Sequence, residues 1–184
     1  MTLNFWPIND RWSCALGAIY TMIELREYVD SDVEKLVELA DNKNVSRYLI
    51  STFPFPYTIE DAHWWITTGS KKGIQRAIVF NGELVGSVGG TPGIGERQKQ
   101  ASVGYWLGEP YWSKGIAVNA LQLFMSDIFE KLDIVRVYAW VFQPNTRSAR
   151  VLEKAGFEYE ATLKKSLYRH GELFNELIYS KTIS

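Results

Sequence analysis

At 184 residues, 46% of them hydrophobic, the chain is sized for one domain with a packed core, and its formal net charge of −1 lacks the basic excess of a nucleic-acid binder. Its one cysteine, Cys14, excludes an intrachain disulfide and a cysteine-built zinc site, and no metal is expected. His63 and His170 read as structural or surface residues without a Gly-x-Ser-x-Gly elbow beside them, and no apolar run reaches the ~18 residues of a membrane-spanning helix.

Residues 1–21 hold a short apolar run at 14–19 but no basic start, so they read as a loosely attached extension rather than a secretory signal. A single domain is expected over 22–184, with a cytoplasmic location as the default. Residues 23–29 alternate apolar and polar, as a half-buried strand does. Ser31-x-x-Glu34 reads as a capping box opening an amphipathic helix on Val33, Leu36 and Val37, which Asn42 to Asn44 end. Prolines at 54 and 56 make 53–57 an aromatic loop, and Thr58-x-x-Asp61 caps a second helix through Trp64, Trp65 and Ile66.

A strand at 76–80, a turn at Asn81-Gly82 and a returning strand at 84–88 form a hairpin. The glycines between 86 and 95 mark a wide loop, and 100–107 is the next strand. The longest helical pattern covers 116–132, with Ala120, Leu121, Phe124 and Ile128 on one face. A near-continuous apolar strand at 135–142 reads as buried on both faces. A short helix over 145–155 stops at Gly156, and two last strands meet at His170-Gly171. Lys164, Lys165, Arg169 and His170 read as a solvated edge that discourages sheet-to-sheet pairing. The order predicts an α/β chain with a mixed sheet and helices on both faces.

Between 105 and 118 a strand runs through a short loop into the longest helix. Helix N-termini carry unpaired amide hydrogens and partial positive charge, and phosphate fits there. Gly115 lets backbone approach an anion, Lys114 adds a full charge, and Ala117 keeps the first turn slim. The segment reads either as a pyrophosphate cradle or as a plain strand-to-helix turn. Asn145, followed by Ser148 on the same helical face, reads alone as an N-cap and a first-turn residue just after a buried strand.

Together these pieces resemble the GNAT acetyltransferase superfamily, in its RimJ/RimL-type group, from about Met22 to the C-terminus. Tyr111-Trp-Ser-Lys-Gly-Ile-Ala117 is similar to that family's acyl-CoA signature, with Trp112 where many relatives carry Gln or Arg. Gly104-Tyr-Trp-Leu107 is similar to the strand before it. Asn145-x-x-Ser148, followed by Val-Leu-Glu-Lys-Ala-Gly-Phe157, is similar to the second signature.

The resemblance implies a mostly antiparallel sheet whose central strands, ending at 107 and 142, splay to admit acetyl-CoA, with CoA as product. It places the pantetheine arm beside Tyr105, Trp106 and Leu107. Trp112 and the amides of Ser113, Lys114, Gly115, Ile116, Ala117 and Val118 meet the pyrophosphate. The Leu107 amide polarises the thioester carbonyl. Asn145 contacts the pantetheine, and Ser148, near the sulfur, is the residue suspected of protonating the thiolate. Leu152 stands where other branches use tyrosine for that task.

The implied reaction is direct attack by an amine, such as a protein N-terminal α-amine. A polyamine, amino acid or antibiotic acceptor, or a weakly active acyl-CoA-binding module, are the alternatives. Phe53, Phe55, Tyr57 and Trp64 fall where the family builds its acceptor groove, and equally suit a core. The sequence departs from the pattern at Ser102, where relatives often have glutamate, and at Asn175, which replaces a common acid. No nucleic acid or membrane partner is expected, and the chain is read as a monomer or homodimer.

Overall fold

A computed structural model of the protein describes residues 22–183, so the reading of 1–21 as an extension lies outside the described residues. In chain order it forms β1 (Ile23–Arg26), α1 (Val33–Ala40), α2 (Lys43–Ser46) and α3 (Ile59–Thr67). Next come β2 (Ile74–Phe80), β3 (Glu83–Pro92), β4 (Gln100–Leu107), α4 (Ile116–Lys131) and β5 (Arg136–Phe142). The last elements are α5 (Thr146–Lys154), β6 (Glu158–Arg169) and β7 (Glu172–Thr182). The strands form one open sheet in the order β1-β2-β3-β4-β5-β7-β6. Every neighbouring pair is antiparallel except β4 and β5, which run parallel.

Side chains alternate across each strand, so both sheet faces need cover. On one face Phe124, Leu121 and Ile128 of α4 and Leu152 of α5 bury fully against Val85, Val88 and Val137. On the other, Leu36 and Ala40 of α1 and Ala62 and Ile66 of α3 close over Ala77 and Leu84. The mixed, mostly antiparallel sheet with helices on both faces matches the reading of the sequence.

Local chemistry explains most boundaries. Asn81 and Gly82 both take positive φ, at 55° and 81°, as a two-residue hairpin turn requires. Thr58 accepts from the Asp61 amide at 3.2 Å and Asp61 accepts from the Thr58 amide at 2.9 Å, the reciprocal cap expected there.

Three local expectations are corrected. The glycine-rich stretch is not a wide loop from residue 86: β3 continues to Pro92. Its glycines serve close approach. A Cβ on Gly86 would sit 2.2 Å from the Trp106 carbonyl oxygen, and one on Gly90 would sit 2.3 Å from Ile128 Cδ1. Asn42 does not end a helix but begins α2, its side chain accepting from the amides of Asn44 and Val45. Ser31 does not cap α1. A 3-10 turn at Asp30–Asp32 precedes the helix, and the organising side chain is Asp32.

Asp32 is buried and holds Arg26 through two 2.7 Å hydrogen bonds while accepting from the Val29 amide at 3.0 Å. Burial alone pushes this carboxyl up, but the Arg26 hydrogen bond and charge and the Val29 amide outweigh it and hold it below the usual carboxylate range. A depressed folded pKa contributes stability that is present above the unfolded value of about 3.9 and lost as pH falls through the folded value. Asp32→Asn is therefore expected to cost about 2 kcal/mol near neutral pH, less than a fully buried pair because Arg26 still reaches solvent. Urea unfolding at about pH 6 and about pH 3 should show that difference shrinking at acid pH.

Candidate active site

The central pair of strands separates. β4 and β5 are in register only from Gln100↔Arg136 to Ser102↔Tyr138. Beyond Ser102, β4 stays on β3 as far as Leu107, while β5 stays on β7 as far as Phe142. A wedge therefore opens between residues 103–107 of one strand and 139–142 of the other.

The backbone in that wedge is aimed outward. Gly86 and Leu107 are opposite each other, and the next amide, of Gly108, donates to the Val85 carbonyl at 2.9 Å. In an antiparallel ladder this makes Leu107, and by alternation Tyr105 and Val103, turn both N–H and C=O away from β3. They face the space that β5 has left. The Leu107 carbonyl meets the Trp112 indole there, Nε1 donating at 2.8 Å, which folds the following loop back on the strand end.

That loop delivers amides to the same space. Ser113 has φ 61° and Gly115 has φ 78°. A left-handed residue followed by a right-handed one, as Gly115 is followed by Ile116 at the start of α4, curls successive amides into an anion-binding nest. Such a φ at a non-glycine residue is uncommon and costs roughly 1 kcal/mol, a strain typical of functional loops. Gly115 is the N-cap of α4, and the buried Asn119 holds its carbonyl through main-chain and side-chain nitrogens, each at 3.2 Å. A Cβ on Gly115 would have only Asn119 Nδ2 nearby, at 3.9 Å, so the space before the helix is open.

A cleft of about 730 Å³ joins these parts. It is lined by Tyr105, Trp106, Leu107, Trp112, Ser113, Gly115, Ile116, Ala117, Val118, Asn145 and Ser148, residues that lie up to 43 positions apart. Lys114 is absent from the lining; its ammonium sits 5.6 Å above the Tyr111 ring. Phe53, Phe55, Tyr57 and Trp64 do not line it either. Tyr57 is buried and Phe53 packs behind Trp106, rings 5.9 Å apart, whereas Phe55 and Trp64 face solvent.

Sequence reasoning missed the far wall, where the turn that follows α2 contributes Arg47, Tyr48 and Leu49 at the edge of the cleft, and the basic ladder of α5. Arg147, Arg150 and Lys154 recur at helical spacing on the cleft side, and Arg147 lies over the Trp112 ring at 5.2 Å. That spacing was legible, but nothing in it says which helix face meets a ligand. Arg169, expected at a solvated edge, instead donates to the Leu49 carbonyl and, at 3.0 Å, to the Ser46 carbonyl, pinning the wall to the β6–β7 hairpin.

Two titratable groups of the lining have shifted protonation equilibria. Glu109, the single carboxylate in the lining among the described residues, accepts from Asn44 and Asn42 at 2.9 to 3.1 Å, and these hydrogen bonds hold it below its usual range. The Tyr105 phenol is pushed well up by burial, so it stays neutral. Its oxygen is 2.8 Å from Ser148 Oγ and 3.1 Å from the Ser148 carbonyl. Asn145 caps α5 by accepting from the Ser148 amide at 3.3 Å.

Taken together, an edge of free strand backbone, a nest at a helix N-terminus and a cationic wall suit a long thioester with three phosphates. Comparison with known proteins agrees. The sequence pattern of the acetyltransferase (GNAT) domain matches residues 23–158. The N-acetyltransferase YoaA of Bacillus subtilis is 29% identical over 170 residues, spanning 85% of this chain and 90% of that protein. The microcin C7 self-immunity acetyltransferase MccE, solved with acetyl-CoA and AMP, is 25% identical with a TM-score of 0.76 over 88% of this chain and 93% of its own. The ribosomal L7/L12 α-N-protein acetyltransferase RimL, solved with coenzyme A, shares the fold at 23% identity, with a TM-score of 0.78 over 90% and 96% of the two chains. The chain belongs to the GNAT family and is an acetyl-CoA-dependent N-acetyltransferase.

Proposed function

We propose that the acceptor is a protein or peptide N-terminal α-amine rather than a polyamine. The observation that carries this reading is that no free acid lines the cleft among the described residues. A site selecting a polycation would offer it carboxylates, yet Glu109 is the one acid that lines the cleft among the described residues. That one carboxylate is already committed to two asparagines. An α-amine titrates near 7.7–8.0, against about 10.4 for a lysine-type amine, so roughly a tenth of it is already the attacking neutral form at pH 7, against less than about a thousandth of a lysine-type amine. Water leading out of the cleft can then take the proton released on attack.

On this reading the amides of Ser113, Gly115, Ile116, Ala117 and Val118 receive the pyrophosphate, and the cationic face of α5 meets the remaining phosphate charge. The outward amides of Tyr105 and Leu107 hold the pantetheine and thioester ends, with Leu107 N–H stabilising charge that develops on the carbonyl oxygen. Asn145 and Ser148 face the pantetheine and sulfur. Acetyl-CoA supplies an activated acetyl group; the chain supplies its alignment with the amine and the exclusion of water. Trp106, Tyr48 and Leu49 form the acceptor side. A domain over 22–184 that works alone or as a homodimer in the cytoplasm completes the proposal.

The test is a panel. Thiol release from acetyl-CoA is followed with peptides of varied N-terminal residue and, separately, with spermidine, free amino acids and aminoglycosides. Peptides with a free α-amine should react and the same peptides blocked at the N-terminus should not. Release with the small amines alone overturns the protein-acceptor reading. Tight CoA binding without release for any amine would favour the binding-module alternative.

A further inference from the structure

We propose that Tyr105 is a positioning residue for Ser148, its phenol setting the direction in which the serine hydroxyl donates, so that Ser148 hydrogen-bonds the sulfur leaving from acetyl-CoA. This rests on the acetyl-transfer reading of the cleft and assigns a role to the Tyr105 side chain.

The phenol has one proton and two acceptors within reach, Ser148 Oγ at 2.8 Å and the Ser148 carbonyl at 3.1 Å. When it donates to the carbonyl, the serine proton points back at the phenol oxygen and is spent. When it donates to Oγ, the serine proton is released toward the cleft that both residues line. A sulfur that gathers negative charge in the wedge favours the second arrangement, because only that arrangement offers it a donor. Tyr105 reaches Ser148 from β4 across the parting of the sheet, and its ring packs against the main core, so the phenol is held rather than swinging.

Proton arithmetic sets the limits of the role. A thiol titrates near ~8.5, far below an aliphatic hydroxyl, so Ser148 cannot be the net acid for a departing thiolate. The step balances without it. The amine lone pair forms the C–N bond, the C–S bond breaks with its electron pair on sulfur, and the ammonium proton passes to water. Sulfur leaves as thiolate, with Ser148 donating a hydrogen bond to it. Tyr105 gives up no proton at any point.

The test uses the full chain with CoA itself. Thiolate absorbance in the far ultraviolet, read across pH, gives the titration of the bound thiol in the wild type, Tyr105→Phe, Ser148→Ala and the double variant. The bound thiol should be more acidic than free CoA in the wild type, and both single variants should raise its midpoint. The double variant should match Ser148→Ala. In steady state, Tyr105→Phe should lower kcat about tenfold while KM for acetyl-CoA stays within about twofold. A wild-type midpoint in Tyr105→Phe, effects that add in the double variant, or a change confined to KM would each overturn the proposal. If the wild type acetylates no amine, the acetyl-transfer reading fails, and the thiol titration still decides what Tyr105 does.

Discussion

Gly115→Asp is expected to weaken CoA binding by roughly 100-fold or more, measured by calorimetric titration, while leaving the fold in place. The residue sits at φ 78°, where a side chain costs about 1–2 kcal/mol. Its Cβ would enter open space, with Asn119 Nδ2 at 3.9 Å as its nearest neighbour, so no core contact is displaced. That open space is where the nest and the N-terminus of α4 aim their amides. On the proposed reading, a carboxylate placed there occupies the anion's position and repels its charge. The same carboxylate interacts favourably with the helix N-terminus in the free protein, by about 0.3–1 kcal/mol, which partly offsets the φ strain. Binding and stability therefore respond differently to one substitution. Gly115→Asn separates the causes. Asparagine tolerates the left-handed region and carries no charge, so it should lose about tenfold less affinity than the aspartate. Undiminished affinity in Gly115→Asp would remove the diphosphate cradle from the mechanism.

The ends of β4 and α4, and the turn between β2 and β3, were legible because period, length and turn chemistry agree there. The glycines of β3 were misread because glycine marks two opposite things: freedom to turn, and absence of a Cβ where another element presses close. Only the packing of Trp106 and Ile128 distinguishes them at residues 86 and 90. Ser31 met the pattern of a capping box, but the Asp32–Arg26 pair settles the geometry first, and an ion pair with a preceding strand has no local signature. In the site, the glycine that opens α4 and the cap at Asn145 could be placed from sequence because both are local, whereas the left-handed Ser113 was not read. The contact of Tyr105 with Ser148 joins strands and helices 43 residues apart, so no spacing rule reaches it. Phe55 and Trp64 were grouped with the groove because the family resemblance places it there, with core cover as the equal alternative. The exposure of Trp64 follows from the way α3 lies, with Ala62 and Ile66 inward and Trp64 outward, and Phe55 is exposed in the loop before that helix.

Leu152→Tyr is expected to destabilise the protein by about 4 kcal/mol and to leave turnover no faster, although other branches of the superfamily use tyrosine at that position. The reason is the rotation of α5. Arg147, Ser148, Arg150, Val151 and Lys154 look into the cleft, whereas Ala149, Leu152 and Ala155 are buried in the core beneath it. Leu152 has no exposed surface, and its carbonyl already accepts from the Phe157 amide at 3.0 Å. A ring forced into that filled space costs about 1–3 kcal/mol in overpacking. A hydroxyl carried in with it, with no acceptor, costs about another 1–3 kcal/mol. Urea unfolding of the free protein should show the loss as a lower midpoint with little change in slope. Turnover should not rise, because a phenol already stands beside Ser148, supplied by β4 rather than α5. A Leu152→Tyr protein that keeps wild-type stability and gains kcat would mean that α5 can rotate its core face into the cleft. In that case Tyr105 would lose its place as the phenol that serves the sulfur.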